Sequence, residues 1–150
     1  MLTLQRTTSE DLSFRELVAA LNADLAVRNG DANDFFAQFN GLAGLECVVI
    51  AYESGIAVGC GAAKPFDSNA SEIKRMFVLP EKRGNGIAGA VLAAIEGWCT
   101  ELGYRKCILE TGQKQPEAIR LYQKSGYQQI SNFGPYVGVE DSLCFEKHLS

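Results

Sequence analysis

Apolar positions along the chain follow two spacings, and the switches between them mark out the elements. Residues 1–6 suit a short first strand. Ser9-Glu10-Asp11 offers capping chemistry for a helix carrying Leu12, Leu17, Val18 and Leu21. Residues 22–44 are less regular, and "DANDFFAQF" predicts a second helix within them. Residues 47–52 read as a strand, Glu53-Ser54-Gly55 as a tight turn, and residues 56–63 as its antiparallel partner. The loop "KPFDSNA" follows, then a strand over 72–79 that Pro80 stops. Strict alternation along that strand would put Glu72, Lys74, Met76 and Val78 on one face, and Ile73, Arg75, Phe77 and Leu79 on the other.

Helical spacing returns over 86–102, where Ala88, Val91, Leu92, Ile95, Cys99 and Leu102 share a face and Gly103 closes the end. Residues 106–110 form a strand. Pro116 suits the first position of a helix running to Lys124, and Gly126 ends it. Residues 127–130 and 142–147 are final strands joined by "SNFGPYVGVED". The order β-α-α-β-β-β-α-β-α-β-β has more hairpins than βαβ units. It predicts an α/β (α+β) fold whose sheet is mixed and mostly antiparallel in its first half.

Composition narrows the classes. The chain has 150 residues, 47% of them hydrophobic, which suits one domain over 1–150. A net charge of -4 argues against general nucleic-acid binding, which needs a basic face. No run of about 18 apolar residues exists to span a membrane, and the first residues lack a signal-peptide core, so the expected location is cytoplasmic. Five cysteines without a C-x-x-C pair read as small buried hydrophobes in a reducing compartment. The lone histidine, His148, makes a metal site improbable, so no metal is expected.

One stretch carries chemistry. Gly84-Asn85-Gly86-Ile87-Ala88-Gly89 is a G-x-G-x-x-G turn at the head of a helix, a natural phosphate site. Its ligand is a dinucleotide, ATP or coenzyme A. The dinucleotide reading has Glu110 at a plausible distance. However, four residues separate strand from glycine, the strand carries Glu72, Lys74 and Arg75 where a doubly buried strand should be apolar, and too little chain follows for a second nucleotide-binding half. A P-loop needs Lys-Ser/Thr where Ala90-Val91 stands, which excludes ATP in that mode. Coenzyme A fits: turn N–H groups, the positive helix end, Lys82 and Arg83 together suit a pyrophosphate.

Arg83-Gly84-Asn85-Gly86-Ile87-Ala88 matches Q/R-x-x-G-x-G/A, the signature of the GNAT superfamily of acetyl-coenzyme-A-dependent N-acyltransferases, which the chain resembles. "EIKRMFVLPEKRG" resembles the family's strand leading into the signature. "QPEAIRLYQKSGY" resembles its N-x-x-A-x-x-L-Y-x-x-x-G-F/Y segment through Ala118, Leu121, Tyr122, Gly126 and Tyr127. Gln115 departs, standing where the family often has asparagine. The resemblance covers residues 72–127. It implies six to seven strands flanked by about four helices, with central parallel strands that splay.

It also implies roles. Glu72 would take the amine proton, directly or through water. Tyr122 would protonate the departing thiolate. Backbone of Met76, Phe77 and Val78 would hold the thioester carbonyl and the pantetheine amides, with Val78 N–H at the developing oxyanion. Lys82, Arg83, Gly84, Asn85, Gly86, Ile87, Ala88, Gln115 and Lys124 would complete the acetyl-CoA site. Phe35, Phe36, Tyr52, Glu110 and Tyr136 are candidate walls for the acceptor, expected to be an amine on a small molecule; an acidic cleft would suit a polyamine, aminoglycoside or amino-acid amine, and a peptide or protein amine is the alternative. A non-catalytic acetyl-CoA-binding module would need neither Glu72 nor Tyr122. Monomer and homodimer are both open.

Overall fold

Seven strands join in one sheet, ordered β1-β2-β3-β4-β5-β7-β6. The structure is a computed structural model and describes residues 1–29 and 41–149. The strands are β1 (Leu2–Thr7), β2 (Cys47–Glu53), β3 (Ile56–Pro65), β4 (Ala70–Val78), β5 (Lys106–Gly112), β6 (Gln128–Ile130) and β7 (Ser142–His148). The helices are α1 (Leu12–Asn29), α2 (Ile87–Glu101) and α3 (Pro116–Lys124). The helix expected from "DANDFFAQF", with Phe35 and Phe36, lies outside the described residues.

Local chemistry explains the boundaries. Asp11 Oδ1 accepts the Ser13 and Phe14 N–H groups at 2.9 and 3.3 Å, capping α1. Ser54 and Gly55 both take positive φ, 51° and 84°, the two-residue hairpin turn whose twist suits its strands. The predicted loop after β3 is shorter than expected. Lys64 and Pro65 continue β3, and Ala70 already belongs to β4.

Two apolar layers sandwich the sheet. Phe14, Leu17, Val18 and Leu21 of α1 pack on Val48, Ile50, Cys60, Ala62 and Phe77. Val91, Leu92, Ile95 and Cys99 of α2 pack on the other face with Val49, Ile73, Leu109 and Phe145. Each fully buried Val or Leu side chain contributes about 1.5–3 kcal/mol. Two expected stripe members stay outside: Leu12 is 77% exposed and Leu102 48%. Each lies at a helix end, where the stripe has run past the sheet.

Two irregularities in β4 create the site. Among the described residues its one parallel partner is β5, and they pair at Ala70–Lys106, Ser71–Cys107 and Glu72–Ile108 before parting. Against β3, Cys60 faces Phe77 and Ala62 faces Lys74, so Arg75 and Met76 together oppose Gly61. That is a β-bulge, with Arg75 at φ 59°. It overturns the strict alternation expected along this strand. Ile73, Met76 and Val78 share the α2 face, whereas Phe77 packs with α1. Glu72 and Lys74 pair with Lys64 and Ala62 and therefore sit on the α1 face with Phe77, not with Val78.

Candidate active site

A cavity of about 390 Å³ opens where β4 and β5 part. Its two ends differ in kind.

One end is backbone. Leu79 N–H donates to Val58 O at 2.9 Å. This ties Leu79 to β3 and turns the backbone groups of its predecessor Val78 to the opposite edge, into the split. The Val78 carbonyl accepts Arg83 Nε there at 2.9 Å. A single 3-10 turn, Pro80–Lys82, then leads to Gly84 and Gly86 at φ 83° and 79°. Other residues meet a steric cost of roughly 1–2 kcal/mol in that conformation. A Cβ at either glycine would meet nothing within 4 Å, so the space over the turn is open to a bulky ligand. Gly86 begins α2, whose first N–H groups lack helical partners and whose dipole favours an anion.

Charged side chains flank the turn. Lys82 donates to Glu53 Oε1 at 2.5 Å, which holds the lysine above its ordinary pKa and therefore charged. Arg83 reaches back toward α1. Its guanidinium lies 3.8 Å from Asp24 Oδ2 and 5.5 Å from the Phe77 ring centre. Asn85 is exposed and donates to Lys82 O at 3.0 Å. Asn85 and Lys124, the last residue of α3, do not line the cavity. Met76, Phe77, Val78, Lys82, Arg83, Gly84, Gly86, Ile87, Ala88, Gln115, Glu72 and Tyr122 all do.

The other end is built of side chains. Glu72 is the last β4 residue paired with β5 and is 5% exposed. Burial pushes its carboxyl above the ordinary glutamate range, with Lys74 and Lys64 pulling the other way. Lys74 Nζ is 3.7 Å from Glu72 Oε2, and burial lowers its own pKa. Glu110 of β5 accepts from Ser142 Oγ at 2.7 Å, and burial raises it too. Tyr136, in the short turn Gly134–Tyr136, is buried and lines the same end. Tyr122 is buried against Tyr127 and Phe145. Burial, then Glu110, raises its phenol, so it keeps its proton at neutral pH.

Of the acceptor walls expected from sequence, Glu110 and Tyr136 reach the cavity and Tyr52 does not. Tyr52 instead flanks the α1 core layer. The cleft is mixed in charge: Lys74 and Arg75 stand in the same wall as Glu72 and Glu110. Sequence reasoning missed Arg75, and Leu21, Asp24 and Leu25 from α1. One signal for the bulge was present. Gly61 interrupts a strand, which often marks a bulge or a close approach. A Cβ there would lie 2.8 Å from Ile95 Cδ1 of α2.

Comparison with known proteins agrees with this fold. The acetyltransferase (GNAT) family model matches residues 14–127. The chain is 41% identical to an IAA acetyltransferase of Azospirillum brasilense over 102 residues, 67% of each chain. A solved structure described as an acyl-CoA N-acyltransferase of Klebsiella pneumoniae superposes with TM-score 0.83 at 31% identity, covering 100% of this chain and 99% of that one. A GNAT acetyltransferase of Elizabethkingia anophelis, solved with acetyl-CoA bound, shares the fold at TM-score 0.73 and 19% identity, covering 99% and 98%. The chain belongs to the GNAT family of acetyltransferases. By class it is an N-acetyltransferase.

Proposed function

We propose that one domain over residues 1–150 joins acetyl-CoA and a small primary amine in a ternary complex, and that the amine attacks the thioester directly. The observation that carries this reading is the parting of β4 and β5 beside a buried Glu72 and a buried Tyr122. The residues fit the co-substrate. The open glycine turn and the start of α2 suit its pyrophosphate, as do Lys82 and Arg83. Acetyl-CoA supplies the activated acyl group. Gln115 lines the cavity beside Tyr122 and would meet the pantetheine arm.

Each residue then has a task. Val78 N–H stabilises negative charge growing on the carbonyl oxygen. Glu72, with its pKa raised by burial, accepts the amine proton. Tyr122, with its pKa also raised, still holds a proton to give to the departing sulfur. Five free, buried cysteines suit a reducing compartment, the cytoplasm. No described helix is long and apolar enough to cross a membrane.

The test is release of free coenzyme A from acetyl-CoA across a panel of amines, against a blank without amine, alongside thermal unfolding with and without acetyl-CoA. Release that depends on an amine is the expected result. Stabilisation by acetyl-CoA without release to any amine would favour the binding module. No stabilisation would overturn the assignment of the glycine turn.

A further inference from the structure

Arg75 is an unusual residue in an unusual place. The bulge position it fills, with φ 59°, is one that glycine ordinarily takes. An arginine there is strained, so the backbone alone does not account for it. The side chain is also buried, at 7% exposure, and burial is the largest influence on its charge, lowering its pKa. Its Nη2 donates to Asn22 Oδ1 of α1 at 3.0 Å. The residue lines the inner end of the cavity with Glu72, Lys74, Glu110 and Tyr136.

The two cations of this wall share the α1 face but have different partners. Lys74 acts on both carboxylates, Glu72 and Glu110. Arg75, held by Asn22 of α1, acts on Tyr136 and Cys60 as well as on Lys74. A polyamine or aminoglycoside would bring further cations against Lys74 and Arg75, a like-charge cost in a buried wall. An acceptor with one positive and one negative group can set the first against Glu72 and the second against Arg75, both of which line the cavity. A guanidinium fork matches a carboxylate in two parallel hydrogen bonds. One guanidinium on that side suits a single negative charge better than a doubly charged phosphate.

Resting on the acetyl-transfer reading above, we propose that the acceptor is an amine that also carries a carboxylate, an amino-acid-type molecule, and that Arg75 holds the carboxylate while Glu72 faces the amine. The amine nitrogen bonds to the thioester carbon and the carbon–sulfur bond breaks. The amine proton passes to Glu72, and the Tyr122 proton goes to sulfur. The carboxylate is unchanged, and the products are an N-acetyl amino acid and coenzyme A.

The experiment compares matched acceptors in the coenzyme A release assay: the twenty amino acids, their decarboxylated amines and their methyl esters. For the side chain used best, the free acid should exceed both counterparts in kcat/KM by about tenfold or more, as expected of a site built to bond a missing group. Arg75→Asn and Arg75→Gly both tolerate positive φ and should fold. They should bring that ratio toward one while leaving the acetyl-CoA stabilisation midpoint unchanged. Arg75→Lys should recover part of the ratio. Equal or better use of decarboxylated amines or polyamines would overturn the proposal and leave acetyl transfer standing. So would a ratio unchanged in Arg75→Asn, or no use of any amino acid while acetyl-CoA still stabilises the protein. Failure of acetyl-CoA to bind would remove the parent reading as well.

Discussion

The two ends of the cavity are built by opposite means. At the turn, residues 82–88 bring together in one short run backbone N–H groups, two glycines at positive φ and a helix start. At the inner end, Glu72, Lys74 and Arg75 come from β4, Glu110 from β5, Tyr136 from the loop before β7, and Asn22 from α1. A ligand met by main chain can be written contiguously, because the turn geometry is local. A ligand met by side chains must be assembled across the fold. The turn should therefore be broken by adding an atom, and the inner end by exchanging one.

The largest loss is expected at the inner end. Glu72→Gln keeps shape and removes the proton acceptor, so kcat should fall by about 10²–10⁴-fold with acetyl-CoA affinity kept. Steady-state kinetics with the best amine would check it, and a turnover within threefold of wild type would return Glu72 to an ion-pair role with Lys74. Tyr122→Phe deletes one oxygen from a ring that Tyr127 and Phe145 already hold. Its kcat should fall by about 10²-fold, the low end for a positioned proton donor. Its melting temperature should barely move. A large loss of stability with unchanged kcat would make the tyrosine a packing residue only.

At the turn the opposite operation applies. Gly86→Ala adds a methyl where φ is 79° and nothing lies within 4 Å, so steric contact in the free protein is not the penalty. The cost is the left-handed backbone, about 1–2 kcal/mol, or roughly five- to thirtyfold in affinity for coenzyme A if the turn relaxes. Calorimetric titration would read it. Unchanged affinity together with unchanged kcat would mean that the glycine conformation is not what the ligand uses.

The same contrast decides what was legible in the sequence. The backbone of the glycine turn was readable, although Asn85 stays outside the cavity, and so were the α3 boundaries, because Pro116 and Gly126 punctuate locally. The hairpin at Ser54-Gly55 was readable for the same reason. The face of Glu72 was not. Alternation along β4 holds only until a bulge intervenes, and the bulge at Arg75 and Met76 is set by pairing with β3. Arginine carries no mark of a left-handed conformation, so its only trace lay in the partner strand, at Gly61. The mixed charge of the inner wall was equally hidden, since Glu110 approaches Glu72 and Lys74 only because β5 starts in parallel register with β4.

Proton linkage gives the gentlest way to separate the ends, because the two regions carry opposite signs. Burial raises Glu72 and Glu110, so the folded state binds their protons more tightly than the unfolded chain does. Their contribution to stability is complete below the ordinary glutamate value of 4.5 and is lost as pH rises through the raised values. Lys82 lowers Glu53, so that carboxylate stabilises above 4.5 and its contribution disappears as pH falls through the lowered value. The Glu53 effect should be slight, because the pair is exposed and screened by solvent. The Glu72 effect is partly offset by Lys74 and Lys64. Thermal unfolding followed from pH 4 upward should therefore show a shallower decline in Glu72→Gln than in wild type, and almost the wild-type curve in Glu53→Gln. Activity in the wild type should run the other way, rising with pH as Glu72 becomes free to accept a proton. Identical unfolding profiles for wild type and Glu72→Gln would mean that water reaches this carboxylate freely, and the argument for its role as base would lose its physical ground.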